Sequence, residues 1–172
     1  MPDYQKIKLV VLDVDGTLTD GGIYYDSQGS EMKRFDVKDG LGIKVGLAAG
    51  LEFAVLTGRD SPMVERRVEE LGIQHLRTGV QVKYPVLIEL LKECSLQPEE
   101  CGYIGDDLND LQCMEAVSFR ACPADAAKEV KALCDYVADC NGGHGAVRAC
   151  IETLLLAQGK WNANFRKLYY LE

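Results

Sequence analysis

The sequence has no apolar run approaching the roughly 20 residues that a membrane-spanning helix requires, and no CxxC pair, internal repeat, low-complexity tract or long linker. Its start, MPDYQKIKLVVLDVD, lacks the basic, apolar and small-residue succession of a secretory signal, so a cytoplasmic location without a membrane anchor is expected. Positive charge is in deficit: 19 Lys and Arg face 27 Asp and Glu, a formal net charge of -8. Binders of nucleic acid or anionic lipid normally present a basic face, which sets both partner classes aside. An anionic substrate must then be attracted locally, by a metal or a few placed cations. The cysteines Cys94, Cys101, Cys113, Cys122, Cys134, Cys140 and Cys150 are widely spaced and odd in number. They read as small buried or half-buried thiols in a reducing compartment, not as a disulfide framework or a metal knuckle.

What is present suffices for one ordinary domain over residues 1–172, with 47% hydrophobic content. Three short apolar runs, residues 8–14, 53–57 and 101–106, have the valine- and leucine-rich character of strands buried on both faces of a parallel sheet. Helical patterns lie between them. Ser61 and Pro62 suit an N-cap and first position, Val64, Val68 and Leu71 recur at helical spacing, and Gly72 can end the element. Further helices are expected over about 84–93, 125–134 and 146–158, with a terminal strand at 136–139. Strands alternating with helices predict a doubly wound, Rossmann-like α/β sheet with right-handed crossovers. Residues 19–36, TDGGIYYDSQGSEMKRFD, break the rhythm: two aromatic or apolar stretches flank DSQGS, the pattern of a β-hairpin projecting from the sheet. Residues 161–172 read as a tail rich in aromatics.

Candidate chemistry collects where strands end. In an open α/β sheet the ligand crevice lies beyond the carboxyl ends of the strands, and Asp13, Asp15, Thr57, Asp106 and Asp107 are placed there. Carboxylates so crowded repel one another, and a divalent cation is the simplest remedy. Oxygen-only ligands select a hard ion, Mg²⁺ before zinc or copper.

DVDGTLTD at 13–20 and GDDLND at 105–110 resemble the first and last signatures of the haloacid dehalogenase superfamily, and LTGR at 56–59 and Lys83 resemble the second and third. The resemblance implies that Asp13 attacks phosphorus, that Asp15 protonates the departing oxygen and later activates water, and that Thr57, Gly58 and Lys83 hold the phosphoryl oxygens. It also implies Mg²⁺ between Asp13, the main-chain carbonyl of Asp15 and Asp106, with Asp107 and Asp110 supporting that shell. Only about twenty residues separate the first motif from KDGLGIKVGLAAG, room for a hairpin flap but not for a cap domain. A capless site would be open to water unless something covers it.

Within the superfamily the chain is most similar to the capless, tetrameric 3-deoxy-D-manno-octulosonate 8-phosphate phosphatases, through residues 12–44, 56–73, 103–111 and 142–160. These release phosphate from a sugar acid phosphate on the route to the lipopolysaccharide core. The resemblance implies a homotetramer whose hairpins cover neighbouring sites. Such a substrate also carries a carboxylate, for which Arg59, Arg67 and Lys83 are candidates, while Asp39 and Gly40 could meet the sugar. In similar enzymes the C-terminus can reach an adjacent subunit's site; Trp161, Phe165, Tyr169 and Tyr170 fit either that role or packing on their own surface. Two departures stand out: His144 replaces the family's more common Arg, and QVKYPVL differs from the usual run around the motif lysine. Relatives acting on nonulosonate 9-phosphates tend to carry Glu after the second-motif Thr-Gly, where this chain has Arg59. A phospho-accepting receiver domain also gathers acids, a threonine and a lysine. It carries its acidic pair after the first strand and its acceptor Asp alone on a later one, whereas here DxD comes first and GDD last.

Overall fold

A computed structural model describes residues 4–169. Six parallel strands form the main sheet: β1 (Leu9–Leu12), β4 (Glu52–Leu56), β5 (His75–Arg77), β6 (Cys101–Ile104), β7 (Phe119–Cys122) and β8 (Tyr136–Val137). They lie in the order β5-β4-β1-β6-β7-β8, so the chain winds outward from β1 on one side, returns, and winds outward on the other. That reversal beside β1 is the switch point at which a doubly wound sheet opens a crevice. Strands β2 (Tyr24–Tyr25) and β3 (Glu31–Met32) form a separate antiparallel hairpin, as its sequence predicts, closed at its base by a bridge between Thr19 and Phe35. Asp26 shapes the hairpin turn by accepting from the main-chain nitrogens of Gln28 and Ser30, each at 2.8 Å.

Alternation along the strands assigns the two faces. Val10, Leu12, Phe53, Val55, Ile104 and Phe119 belong to one buried core. Helices α1 (Val37–Ala48), α2 (Pro62–Leu71), α6 (Ala146–Ala157) and α7 (Trp161–Leu168) cover that face. Leu9, Val11, Ala54, Leu56 and Tyr103 belong to the other core, under α3 (Lys83–Glu93), α4 (Leu111–Ala116) and α5 (Lys128–Leu133). Helices α1 and α6 approach closely at Gly42, where an added Cβ would come within 2.8 Å of Arg148 Cα.

Several sequence expectations shift. Helix α3 begins at Lys83, one residue before the expected start, and α5 is only 128–133 because Asp125 turns to accept from the Gly142 nitrogen at 3.0 Å. Strands β5 and β7 and helix α4 were not legible: β5 is three residues at the sheet edge, and β7, FRAC, interrupts its apolar run with a charge. Helix α6 does not close the fold. The segment from Trp161 forms α7 and packs on α1 of its own chain, with Trp161 buried, while Tyr170 lies outside the described residues. All seven cysteines are free thiols, buried or half-buried as expected. Among the described residues no helix is long and apolar enough to cross a membrane.

Candidate active site

Strand β1 delivers Asp13 to the crevice directly after its last residue, and the Asp13 nitrogen still donates to Ile104 O at 2.9 Å, so the carboxylate sits between β1 and β6. The chain then turns sharply at Gly16, whose φ of 93° is a left-handed conformation suited to glycine. A side chain there would also collide with the Asp106 carboxylate. The turn presents Asp15 to the cavity and lets the Thr17 hydroxyl donate to Asp106 Oδ1 at 2.9 Å, tying the first motif to the last.

Lys83 comes from the other side of the sheet. It is 2% exposed, and its ammonium donates to Asp13 Oδ1 at 2.6 Å and to Asp110 Oδ1 at 2.8 Å. A lysine at the first position of a helix opposes the helix dipole, and these two carboxylates offset that cost. Asp110 is saturated in turn, accepting also from the Tyr103 hydroxyl at 2.7 Å and the Asp106 nitrogen at 3.1 Å. It acts as a buried anchor for Lys83. Asp107 instead caps the short turn Leu108–Asp110, accepting from the Leu108 nitrogen at 2.8 Å.

Carboxylate oxygens of Asp13, Asp106 and Asp110 all lie within 4.8 Å of one another. Burial first, then the Asp110 carboxylate, pushes Asp13 well above the usual carboxylate range. Burial likewise raises Asp106 to about 6, partly countered by its bond from Thr17. Burial lowers the Lys83 ammonium, but Asp13 and Asp110 reverse this and hold it above its ordinary value. Three carboxyl groups thus face one ammonium, and with Asp13 and Asp106 both raised they hold protons more tightly than free carboxyls do. An all-oxygen donor set of this kind fits a hard divalent cation.

Above the cluster lies a cavity of about 230 Å³ lined by Asp13, Asp15, Thr57, Gly58, Arg59, Asp107 and Asn109. Thr57 follows β4 as Asp13 follows β1, and both are buried at the cavity floor. Asp13, Asp15, Thr57, Gly58, Arg59 and Asp107 are thus brought together, with Lys83, Asp106 and Asp110 at or behind Asp13. Arg67, Asp39 and Gly40 are not among the lining residues. The Arg67 guanidinium lies in an adjacent groove over Phe35, donating to Asp36 O at 3.2 Å, and Gly40 is the space it occupies. Asp39 is buried and accepts from the nitrogens of Gly145 (3.2 Å) and Arg148 (2.9 Å), so within this chain its carboxylate caps α6. His144 is exposed and bonds to Gly142 O at 2.7 Å, away from the cavity.

The hairpin supplies two site residues that the motif reading missed. Lys33, its side chain 2% exposed, donates to Asp15 Oδ1 and lies 3.4 Å from Glu31 Oε1, which also receives Arg59 at 3.1 Å. A chain of alternating charge, Asp15–Lys33–Glu31–Arg59, joins the hairpin to the first two motifs of its own chain. The available signal was the two-residue spacing of Glu31 and Lys33, which puts both on one strand face.

Comparison with known proteins agrees with this geometry. A family model described as haloacid dehalogenase-like hydrolase matches residues 76–149. The 3-deoxy-D-manno-octulosonate 8-phosphate phosphatase KdsC of Salmonella typhi is 44% identical over 160 residues, covering 93% of this chain and 85% of that protein. The crystal structure of the corresponding phosphatase from Moraxella catarrhalis, in complex with a magnesium ion, a phosphate ion and a KDO molecule, superposes with a TM-score of 0.92 at 40% identity, covering 96% of this chain and 95% of that one. The cobalt-bound form of the Haemophilus influenzae phosphatase gives 0.91 at 40% identity, covering 98% and 99%. With identity and coverage at this level, the chain belongs to the haloacid dehalogenase-like hydrolases, in the family of the 3-deoxy-D-manno-octulosonate 8-phosphate phosphatases.

Proposed function

We propose that this chain is a Mg²⁺-dependent phosphatase that converts 3-deoxy-D-manno-octulosonate 8-phosphate to 3-deoxy-D-manno-octulosonate and phosphate, for lipopolysaccharide biosynthesis in the cytoplasm. The observation that carries the chemistry is Asp13: a buried carboxylate at a strand end, fixed by Lys83, at the floor of a cavity whose rim holds Asp15 and Thr57.

Asp13 attacks phosphorus, the bond from phosphorus to the sugar oxygen breaks, and Asp15 gives its proton to that departing oxygen. Asp15, now a carboxylate, takes a proton from water as the water attacks the phosphoaspartate, and the bond from phosphorus to Asp13 breaks to release phosphate. Thr57 and Gly58 bind the phosphoryl oxygens, while Lys83 holds the nucleophile and contributes fixed positive charge. Mg²⁺ held by the Asp13 and Asp106 carboxylates and the Asp15 main-chain carbonyl would neutralise charge on the phosphoryl oxygens. Arg59 at the cavity rim and Arg67 in the neighbouring groove, which Gly40 also lines, are the cations available to a substrate carboxylate, while Asp39 acts on that groove only from beneath, by capping α6.

A homotetramer suits the hairpin. Its base stays with its own site through Lys33, while Ile23, Tyr25 and Met32 are 58%, 62% and 55% exposed and give the hairpin apolar surface suited to covering a neighbour's cavity.

The deciding experiment is steady-state phosphate release with Mg²⁺ from octulosonate 8-phosphate, nonulosonate 9-phosphates and an aryl phosphate, with Asp13→Asn as control. Strong preference for the octulosonate is expected, together with loss of turnover in Asp13→Asn. Equal weak release from all three substrates would remove the substrate assignment, and undiminished turnover in Asp13→Asn would remove the mechanism.

A further inference from the structure

At the opposite end of the sheet, Glu52, His75 and Cys94 converge. Glu52 opens β4, His75 opens the adjacent edge strand β5, and Cys94 caps the end of α3. His75 Nε2 lies 3.5 Å from Glu52 Oε2 and 3.5 Å from Cys94 Sγ, and the three donor atoms are all within 4.8 Å of one another. For an N···O pair, 3.5 Å is too long for a good direct hydrogen bond, which prefers roughly 2.7–3.2 Å. It is the separation expected of two ligands sharing one ion. Zinc bonds of roughly 2.0–2.3 Å at tetrahedral angles put neighbouring donors about 3.3–3.8 Å apart. From these donors we propose that Glu52, His75 and Cys94 form a zinc site, with a water in the fourth position.

Donor chemistry separates this site from the first. One sulfur, one imidazole and one carboxylate suit Zn²⁺, whereas the all-oxygen cluster at Asp13 suits a hard ion, so the two centres select different metals. Glu52 and Thr57 are five positions apart along β4 and its end, about 17 Å at the rise of a parallel strand. Exposure leaves the fourth position open: Glu52 is exposed and both His75 and Cys94 are half-buried. The electrostatic setting also favours a cation. The carboxylates of Glu52 and Glu93 both act on Cys94, and the nearby Arg77 guanidinium is paired with Glu93 at 2.5 Å. Zinc binding displaces the thiol proton to solvent, and the ion then ties edge strand β5 to β4 and to α3, the helix whose first residue is Lys83.

The test uses the full-length protein saturated with Mg²⁺ and titrated with Co²⁺ as a spectroscopic stand-in for zinc. The expected result is a near-ultraviolet thiolate-to-cobalt charge-transfer band that saturates at one ion per chain and is abolished by Zn²⁺. Cobalt on the carboxylates of Asp13 and Asp106 should not produce that band, because the donor group there, Asp13, Asp106 and Asp110, contains no thiolate. Cys94→Ser should lose the band, and His75→Gln should weaken Zn²⁺ binding by more than the roughly 10- to 100-fold that even outer-shell partners contribute. Both variants should retain phosphatase activity, which confirms that they fold. Absence of the band, its persistence in Cys94→Ser, or unchanged Zn²⁺ affinity in His75→Gln would each overturn the site.

Discussion

Lys83 Nζ lies 2.6 Å from Asp13 Oδ1 although the two residues are 70 positions apart in the chain. The ion pair brings the start of α3 to the end of β1, and Asp110 completes it from behind at 2.8 Å. Removing a buried partner leaves the opposing charges uncompensated, which costs about 3–5 kcal/mol. Lys83→Met should therefore lower the thermal stability of the metal-free protein substantially. It should also reduce kcat/KM by roughly 10²- to 10³-fold, the usual scale for losing a preorganised donor at a charged transition state. Thermal melts and phosphate release on the same samples test both effects; a variant as active as the parent would remove Lys83 from the chemistry.

The crowded carboxylates make metal binding depend on pH. Asp106 is raised to about 6 from an ordinary value of 3.8, and Asp13 is raised as well. A folded state that holds protons more tightly than the unfolded one keeps that stability below about pH 4 and loses it as pH rises through about 6. Mg²⁺ prefers the ionised carboxylates, so its stabilising effect should grow across this same window. Melting temperatures with and without Mg²⁺, taken from about pH 4 to 7, should diverge as pH rises, and Asp106→Asn should flatten the divergence. A Mg²⁺ effect constant with pH would contradict the raised values.

Lys33 is the residue most easily mistaken for part of a passive hairpin. Its bond to Asp15 places a nearly buried ammonium beside the proposed proton donor. Lys33→Met should lower kcat by roughly 10- to 100-fold through the loss of this fixed charge. It should change the melting temperature little, because the Asp15 side chain is 30% exposed and can be solvated. Lys33→Arg should recover part of the rate. Kinetic constants for both variants decide the point, and an unchanged kcat in Lys33→Met would reduce the contact to a resting arrangement of the hairpin.

The parts of the site legible in the sequence are those fixed by local geometry. Asp13, Thr57 and Asp106 follow buried apolar strands, and strands in a doubly wound sheet end at one crevice, so three short segments are enough to place them together. What was not legible depends on long-range approach. Lys33 meets Asp15 only because the hairpin folds back, and Asp39 caps α6 only because α1 and α6 pack closely at Gly42. Charge offers Arg67 to a substrate carboxylate, and position at the start of a helix offers Asp39 to the sugar. In the structure each has a local partner within its own chain, Asp36 O for Arg67 and the start of α6 for Asp39. The short strands β5 and β7 escaped notice because edge position and mixed composition weaken the apolar signal on which strand assignment depends.

The aromatic tail poses a choice that structure and kinetics can divide. Trp161 is 5% exposed, lies under the Arg148 guanidinium at 5.5 Å, and meets the Phe165 ring at 6.1 Å, so the first turns of α7 form part of the core against α1. Tyr169, by contrast, is 52% exposed. Trp161→Ala should cost about 3–5 kcal/mol, as for other large-to-small changes of buried aromatics, seen as a lower melting temperature. If α7 only packs on its own chain, the folded variant should turn over at the parental rate well below its melting temperature, and truncation after Lys160 should leave kcat/KM and the assembly unchanged. If the tail also serves a neighbouring site, the truncated protein should keep its oligomeric state by sedimentation but lose kcat/KM. Truncating only after Leu168, which leaves α7 and Trp161 intact, isolates that second role from the structural one.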